Sequence, residues 1–386
     1  MRAAALLAAF TLSAHAQWTI QQSNTTADLR GIDNVGHGIA WASGTNGTVL
    51  HTTDNGATWL LCKTPPDADH LDFRGIQAFD ANTAIVMSSG KGDLSRLYKT
   101  TDGCQTWKLI LPNPEPEGFW DTIHFGSPEA GELLGDPVDG IFAYYEVYPG
   151  APVPIQWKAS YTRYDRMNLE ANGRGAFAAS NSSIAVKPPG RPLKCISSTM
   201  WIGTSGPNGA KIFRQEVDAT EGKSPKSIMK TPDGFPLCHD DISMRWISAD
   251  VPISGATSTA GVFSIAAIND LVVVAVGGDY QKPDDSTHTA AFTTNGGRTW
   301  QAAVTPPHGY RSAVAYDAPT KTWITVGPNG TDISTDDGRN WRALKPSPTD
   351  PPDADRNWNA LSLPFVVGPH GRIGLLNSTA LQPAKP

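Results

Sequence analysis

Two turns flank a short strand in Gly327-Pro-Asn-Gly-Thr-Asp-Ile-Ser-Thr-Asp-Asp-Gly-Arg-Asn-Trp341. The first turn ends at Gly330, the strand runs over 331–334, the second turn ends at Gly338, and Trp341 begins the next strand. The same unit occurs near the N-terminus, from Gly44 to Trp59. A unit that recurs along a chain indicates a repeat architecture, so the repeat is established before any single element.

The second turn follows the pattern Ser/Thr-x-Asp-x-Gly-x-Thr-Trp. Its Asp can accept N–H bonds inside the turn, its Gly tolerates positive φ, and its Trp offers a large apolar plate to a neighbouring sheet. Cys104 replaces the Gly in one copy, and Asn295 replaces the Asp in another. We interpret the repeated Asp as turn residues and not as active-site residues. The four copies span Thr52–Trp59, Thr100–Trp107, Thr293–Trp300 and Ser334–Trp341.

Tryptophans that begin outer strands predict the architecture. Trp18 has no repeat before it, whereas the segment from Trp358 to Asn377 offers three strands and lacks a fourth. Pairing the Trp18 strand with that last sheet predicts an all-β fold, a seven-bladed β-propeller of four-stranded antiparallel blades closed by the N-terminal strand. The other outer strands begin at Trp59, Trp107, Trp157, Trp246, Trp300 and Trp341.

The interval between Trp157 and Trp246 is long for one blade and short for two. We predict one blade there, with inner strands at Gly175–Ala179, Met200–Ile202 and Ala210–Phe213. An insertion around Asp218–His239 accounts for the remaining length, and an eighth blade is the alternative.

Residues 1–16 predict a signal peptide, because Arg2 precedes a short apolar run and a small-x-small end at Ala16. Residues 17–386 then form a single propeller domain, which we expect to be a periplasmic or secreted monomer. No other segment is apolar and long enough to cross a bilayer. The net charge of −6 gives no bulk attraction to nucleic acid.

Four cysteines fit an oxidising compartment. We predict the pairs Cys62–Cys104, at the edges of successive repeats, and Cys195–Cys238, and buried free thiols are the alternative. The nine His are scattered without a metal-ligand spacing, so we expect neither a metal nor a cofactor.

Blade connectivity sorts the loops onto two faces. If strands A to D run antiparallel and A starts at the top, the turns between B and C lie at the top and the Asp-containing turns lie at the bottom. Arg side chains suit carboxylates, so the top face predicts an anion-binding site, although Arg–Asp pairing within the face is an alternative. The candidate ligand-binding residues are Arg30, Arg74 and Arg311 at strand starts, Asp121 in the same place, and Asp136, Asp139, Asp279 and Tyr280 in B–C turns.

Two resemblances follow from these motifs. The repeated turns resemble those of bacterial neuraminidase-type repeats. The segment from Gly44 to Trp59, with the Arg-Gly-Ile starts at Arg30 and Arg74, resembles the photosystem II stability/assembly factor family, in its non-photosynthetic bacterial branch. That resemblance implies a non-catalytic propeller in which Arg30, Arg74 and Arg311 hold a partner polypeptide.

A glycoside hydrolase is the alternative to this binding propeller, with a glycan as its ligand. Tyr145 and Glu146 are adjacent, as a sialidase pair would be, but they fall on opposite faces of a strand and no Arg-Ile-Pro segment is present. Asp121 with Asp136 or Asp139 could instead supply an acid and a base, if the two carboxyl groups are suitably spaced.

Overall fold

Seven four-stranded antiparallel sheets form the architecture. The computed structural model describes residues 17–149, 161–163, 171–187, 199–217, 228–230, 236–238 and 244–381. Within these residues there is no α-helix, only 3-10 helices at Gly92–Leu94 and Ser378–Leu381. The described part of the chain holds no helix that could cross a membrane. The predicted all-β propeller with seven blades is therefore confirmed.

The first three blades follow the chain in the order A, B, C, D. Blade 1 is β2 (Leu29–Gly36), β3 (Ile39–Gly44), β4 (Val49–Thr52) and β5 (Leu60–Leu61). Blade 2 is β6 (Phe73–Ala78), β7 (Ala84–Ser88), β8 (Arg96–Thr100) and β9 (Lys108–Pro112). Blade 3 is β10 (Trp120–Ser127), β11 (Ala130–Val138), β12 (Ile141–Val147) and β13 (Tyr161–Arg163).

The next three blades have the same order. Blade 4 is β14 (Ile184–Lys187), β15 (Thr199–Thr204), β16 (Lys211–Val217) and β19 (Met244–Asp250), with a hairpin of β17 (Ile228–Lys230) and β18 (Pro236–Cys238) between its last two strands. Blade 5 is β20 (Ala260–Ala267), β21 (Val273–Asp279), β22 (Ala290–Thr293) and β23 (Gln301–Ala302). Blade 6 is β24 (Ala313–Asp317), β25 (Thr322–Gly327), β26 (Gly330–Ser334) and β27 (Arg342–Ala343).

Blade 7 joins the two ends of the described chain. It consists of β28 (Ala360–Ser362), β29 (Phe365–Val367), β30 (Ile373–Leu376) and, as its outer strand, β1 (Trp18–Gln21). The pairing of β1 with β30 is antiparallel and starts at Trp18 opposite Leu376. The predicted closure by the N-terminal strand is therefore confirmed.

Seven hydrophobic clusters fill the spaces between neighbouring blades in the described chain. Trp59 of blade 1 packs with blade 7, and its ring meets that of Phe365 edge to face at 5.6 Å between centroids. Trp107 likewise packs between blades 1 and 2, and Trp341 between blades 5 and 6. Each of these tryptophans thus packs its own blade against the blade before it.

The repeated turn is a small hydrogen-bonded network. In blade 1 the Thr52 hydroxyl accepts the N–H of Gly56 (3.0 Å) and donates to Asp54 (2.8 Å). Asp54 then accepts the N–H of Thr58 (2.9 Å) and its hydroxyl (2.6 Å). The predicted role of the Asp as an acceptor within its own turn is confirmed.

The altered copies of the turn keep the same network. Asn295 accepts the N–H of Thr299 (3.1 Å) through its oxygen and donates to the Thr299 hydroxyl (2.8 Å) through its amide nitrogen. Cys104 takes the place of the usual Gly at φ 63°, and its N–H still donates to the Thr100 hydroxyl at 3.1 Å. The turn therefore tolerates changed residues as long as a donor and an acceptor remain in place.

Two predictions about the long interval have different outcomes. Blade 4 is one blade, as predicted, but its inner strand is β14 and not Gly175–Ala179. The register pairs Ile184 with Ile202, so the residues before Ile184 lie outside the sheet. Trp157 and most of the segment 218–243 lie outside the described residues.

One of the two predicted disulfides is present. Cys62, after the outer strand of blade 1, is bonded to Cys104 in the bottom turn of blade 2. The prediction of Cys62–Cys104 is confirmed, whereas the Cys195–Cys238 pair falls outside the described residues because Cys195 does. The predicted signal peptide, residues 1–16, also lies outside them.

We predict that Asp54→Ala lowers the melting temperature, because the Thr58 N–H and hydroxyl lose their acceptor. Hydrogen bonds from the Thr58 hydroxyl, the Thr58 N–H and the Thr52 hydroxyl lower the pKa of Asp54. A carboxylate with a lowered folded-state pKa stabilises the protein above its unfolded pKa of about 4, and this contribution is lost as pH falls through the folded-state value. The difference between wild type and variant should therefore shrink from pH 7 to pH 3.

Asp69→Ala is the matched control for this experiment, since it removes the same charge from a side chain that is 90% exposed. Thermal unfolding followed by circular dichroism at both pH values measures the effect. Equal losses in the two variants would contradict a specific role for the turn.

We predict that the double variant Cys62→Ala, Cys104→Ala lowers the free energy of unfolding by about 2–4 kcal/mol. The bond spans 42 residues of sequence, so it restricts the unfolded chain. Urea unfolding of the variant, compared with oxidised and reduced wild type, measures the effect. A variant as stable as the oxidised protein would contradict this role.

Candidate functional site

A β-bulge changes the direction of one side chain near the start of several inner strands. The register skips between Leu29 and Gly31 in blade 1, and the same irregularity falls on one residue of strand A in three further blades. A bulged residue is left out of the ladder, and its side chain turns away from the regular alternation. Because strand A lines the channel and begins at the top, these side chains surround the channel mouth. The bulged residues are Arg30, Arg74, Asp121 and Phe263.

The glycine of the Arg-Gly-Ile motif permits close packing behind the mouth. A Cβ on Gly31 would lie 2.5 Å from the Ser43 hydroxyl and 3.2 Å from the carbonyl oxygen of Arg74 in the next blade. A Cβ on Gly75 would lie 2.9 Å from the Asn181 side-chain oxygen. The two glycines therefore allow neighbouring groups to lie close to the inner strands behind the mouth.

Arg30 and Arg74 share one carboxylate. The Nε of Arg30 lies 3.2 Å from Asp72, and the Nε of Arg74 donates to the other oxygen of Asp72 at 2.8 Å. Arg74 also donates to the carbonyl of Ala178 at 3.3 Å. Two guanidinium groups on one carboxylate leave a net positive charge, and the two arginine side chains are 29% and 30% exposed.

Asp121 lies at the mouth but beneath the surface. Its side chain is almost fully buried, and its Oδ2 has no hydrogen-bond partner among the described residues. Burial raises the pKa of Asp121 well above its usual range, the nearby negative charge of Asp136 raises it further, and Arg74 opposes both effects. Asp121 and Asp136 therefore form a pair of carboxyl groups that repel each other when both are ionised.

Asp136 lines an open cleft of about 700 Å³ between blades 3, 4 and 5. Its Oδ1 accepts the N–H of Ala176 at 3.1 Å. Burial raises the pKa of Asp136, and this hydrogen bond opposes the rise. A Cβ on Gly175 would lie 3.0 Å from the same oxygen, so a glycine there lets the carboxylate approach the backbone.

Arg174, which is not among the site residues predicted from the sequence, also lines this cleft. The residue is 7% exposed, and its Nη1 donates to the carbonyl of Gly209 at 2.6 Å. Burial lowers the pKa of Arg174, and the charge of Asp250 partly offsets this. Its position between two glycines in Asn-Gly-Arg-Gly175 was the only signal in the sequence, because connecting segments have no periodicity.

Three predicted site residues lie in B–C turns at the top or at their edge, whereas Asp136, which was also predicted in such a turn, lies within β11. Asp139 is exposed in the two-residue turn between β11 and β12, with φ 55°. Asp279 accepts the N–H of Gln281 at 3.0 Å and so caps its own turn. Tyr280 is 48% exposed, and its ring lies 6.2 Å from that of Phe263. None of the three lines the cleft that contains Asp136.

Aromatic side chains occupy the part of the mouth opposite the arginines. Phe263 stacks on Phe177 with ring centroids 3.7 Å apart and meets Tyr310 edge to face at 4.8 Å. Tyr280 lies at the exposed edge of this group. The mouth is therefore charged on the side of blades 1 to 3 and aromatic on the side of blades 4 and 5.

A segment of blade 4 crosses the channel and closes it. The hydroxyl of Ser180 donates to the carbonyl of Ser312 (2.9 Å), and the side chain of Asn181 accepts the N–H of Ile123 (2.8 Å). The hydroxyl of Ser182 donates to that of Ser264 at 2.7 Å. We call residues 178–183 the plug, since they bond to the inner strands of four other blades. The top face is therefore a bowl with a polar floor.

Arg311 does not occupy the same place as Arg30 and Arg74, contrary to the sequence analysis. The N–H groups of Leu29 and Arg311 make equivalent bonds, each to a glycine carbonyl of the preceding blade (3.1 and 3.0 Å), with Gly277 in strand B and Gly368 directly after it. Arg311 thus corresponds to Leu29, and Ser312 corresponds to Arg30. A shift of one residue along a strand moves a side chain to the opposite face, and Arg311 is fully buried.

The buried guanidinium of Arg311 has its own partners. It forms an ion pair with Asp332, which is also fully buried, and donates to the side chain of Asn329 at 2.5 Å. The exposed imidazole of His308 lies 2.5 Å from the second oxygen of Asp332. This network joins the loop before blade 6 to strand C of that blade, and it presents no arginine to the bowl.

We predict that Arg311→Met destabilises the protein by about 3–5 kcal/mol, because it leaves the carboxylate of Asp332 buried without its main partner. Arg30→Met, at a partly exposed position, should cost less than about 1 kcal/mol. Urea unfolding of the two variants measures the difference. Similar values for both would contradict the structural role of Arg311.

Among the described residues, no group of three or more His, Cys, Asp or Glu side chains is placed to hold a metal ion.

No protein-family model matches the sequence, and a comparison with curated proteins finds no match.

Solved structures provide the informative comparison. A structure of YCF48 bound to D1 peptide is 15% identical, with a TM-score of 0.56 over 94% of this chain and 98% of that one. YCF48 from Cyanidioschyzon merolae is 18% identical, with a TM-score of 0.55 over 94% of this chain and 100% of that one. The WD40 propeller domain of Doa1 is 9% identical, with a TM-score of 0.51 over 95% of this chain and 99% of that one. At these identities the likeness shows a shared propeller fold.

Proposed function

We propose that the mature chain is an exported propeller that binds a polypeptide on its top face without catalysing a reaction. The observation that carries the proposal is the cluster of Arg30, Asp72 and Arg74. Two partly exposed guanidinium groups share one carboxylate at the rim of a closed bowl, so donors remain for a carboxylate of a ligand.

Three other observations support the proposal. The plug gives the bowl a floor, which favours a ligand that lies across the face over one that passes through the channel. Tyr280 presents an exposed aromatic surface beside the mouth, and such surfaces are frequent in binding sites for peptides. One of the similar structures holds YCF48 with a bound peptide, and we extend that mode of binding to this chain as part of the proposal.

Export is the second part of the proposal. The leader pattern of residues 1–16, with cleavage near Ala16, is its main support. The Cys62–Cys104 bond agrees with it, since disulfides persist in oxidising compartments such as the bacterial periplasm. We also assign the chain to a non-photosynthetic branch of the assembly-factor family, on the motifs quoted above.

The glycoside hydrolase alternative receives less support from the geometry. Such an enzyme needs two carboxyl groups that face the substrate. Among the described residues that line the cleft, the carboxylates are Asp136 and Glu117, and Glu117 is bonded to Lys91 at 2.7 Å. Asp121 lies behind Asp136 and is buried. Tyr145 is fully buried against Trp120, away from any substrate.

We predict that the double variant Arg30→Gln, Arg74→Gln loses the polypeptide that wild type captures from native envelope extracts. The removal of two charge-assisted donors should weaken binding at least about tenfold. Cross-linking followed by mass spectrometry identifies the captured chain, and titration of that purified chain gives the affinity.

Arg342→Gln is the control for loss of a positive charge elsewhere, because it neutralises one exposed guanidinium, on the outer strand of blade 6, where the double variant neutralises two at the mouth. Unchanged melting temperatures establish that each variant is folded. If the double variant binds the captured chain as tightly as Arg342→Gln does, the arginine cluster is not the binding site.

A further inference from the structure

The top face has an uneven distribution of charge. Asp72 is matched by two arginines, whereas the positive charge that acts on Asp121 is that of Arg74, whose guanidinium is already bonded to Asp72. Positive charge is therefore in excess on the side of Asp72. On the side of Asp136, the charges of Asp121 and Asp136 together exceed the one positive charge of Arg174 when both carboxyl groups are ionised. A ligand that spans both sides would need groups of opposite sign.

The buried carboxyl group of Asp121 has an oxygen without a hydrogen-bond partner among the described residues, and this calls for an explanation. A carboxyl oxygen buried without a hydrogen bond is costly, and native proteins contain few such atoms. The Oδ2 of Asp121 is such an atom within the described chain, and the like charge of Asp136 adds repulsion. A cation at Asp136 would reduce this repulsion, because it would offset the charge of the pair.

The cleft beside Asp136 suits a long cationic side chain. Its volume of about 700 Å³ exceeds that of a lysine or arginine side chain, and Phe119, Pro137 and Pro207 provide apolar walls for the methylene groups. The hydroxyls of Thr257 and Ser258 offer acceptors opposite.

Arg174 carries a positive charge, which would repel a cationic ligand, but its side chain forms part of the wall of the cleft. A Cβ on Gly206 would lie 2.6 Å from the Cγ of Arg174, so the stem of the side chain is packed against that backbone. Its Nη1 is directed to the carbonyl of Gly209. Asp136 is by contrast half-buried, and its Oδ2 has no hydrogen-bond partner among the described residues.

We propose that this cleft binds the cationic side chain of a lysine or arginine in the polypeptide, with Asp136 as the direct partner and Asp121 behind it. This proposal rests on the proposed function for its ligand, yet the cleft can be tested without the natural partner. The polypeptide would then carry an acidic group for Arg30 and Arg74 and a basic group for Asp136.

The test uses four acetylated and amidated pentapeptides of Gly-Gly-X-Gly-Gly, in which X is Lys, Arg, Gln or Glu. Calorimetric titration of the mature protein at low salt measures their affinities, since screening weakens exposed charge pairs. The Lys or Arg peptide should bind, and the Gln and Glu peptides should bind at least about tenfold more weakly. Equal affinities, no binding of either cationic peptide, or a preference for Glu would overturn the proposal, the last by making Arg174 the operative group.

Asp136→Asn should lower the affinity for the cationic peptide at least about tenfold. Glu117→Gln is the matched control, because Glu117 also lines the cleft and loses the same charge, but its side chain is 73% exposed and paired with Lys91. An Asp136→Asn variant that binds like Glu117→Gln would overturn the proposal. Unchanged near-ultraviolet circular dichroism establishes that both variants are folded.

The arginine variants separate the two proposals. Arg30→Gln, Arg74→Gln should leave the affinity for the cationic peptide unchanged or raise it, since the loss of Arg74 removes the positive charge that acts on Asp121. If cationic peptides fail to bind while the arginine variant still loses the captured polypeptide, the cleft proposal is wrong and the proposed function stands. If the cationic peptides bind and no polypeptide is captured, the reverse holds.

Discussion

The pairing of β1 with β30 is the interaction on which the rest of the structure depends. It joins residues at opposite ends of the described chain, and Asp350 holds the start of β1 by accepting the N–H of Gln17 at 3.0 Å. The Trp18 ring stacks on Trp358 of the same blade at 5.9 Å between centroids. Closure leaves every blade with two neighbours, so each apolar sheet face is covered, and the seven inner strands converge on one axis.

Convergence on an axis makes single residues important. Near the channel there is room for one side chain per blade, and a bulge determines which residue is directed to the mouth. Arg30 and Arg74 reach the mouth, whereas Arg311, one position earlier in its blade, is buried with Asp332. The same type of residue is thus partly exposed at the mouth in one register and buried in an ion pair in the other. The plug also depends on few residues, because the three short polar side chains of Ser180, Asn181 and Ser182 are enough to close the channel.

The sequence predicted the features that repeat and missed those that occur once. The turn pattern and the tryptophans predicted the blades, the closure and the Cys62–Cys104 bond, because each follows from one unit applied several times. The alignment of Arg311 was wrong by one residue, since its strand lacks the Gly that marks the bulge after Arg30 and Arg74. The inner strand of blade 4, the plug and the cleft around Arg174 depend on irregular segments, which have no period to detect.

The same division explains why the fold does not identify the ligand. The tryptophans and turns that stabilise the blades lie between the sheets or at the bottom, whereas the residues at the mouth contribute little to the hydrophobic clusters. Substitution at Arg30, Arg74 or Asp136 can therefore change the chemistry of the bowl while the propeller persists. For the same reason, a structural likeness at 15% identity shows the shared fold and not a shared ligand. At the mouth of this chain, a cluster of two arginines adjoins a pair of aspartates. Arg74 belongs to both, since it is bonded to Asp72 and opposes the charge of Asp121. An acidic group that draws Arg74 outward would leave the Asp121–Asp136 pair more negative and so favour a basic group beside it. In the proposed mode of binding, the two halves of the face are therefore coupled through one guanidinium, and this coupling favours a ligand that carries both charges over two separate ligands.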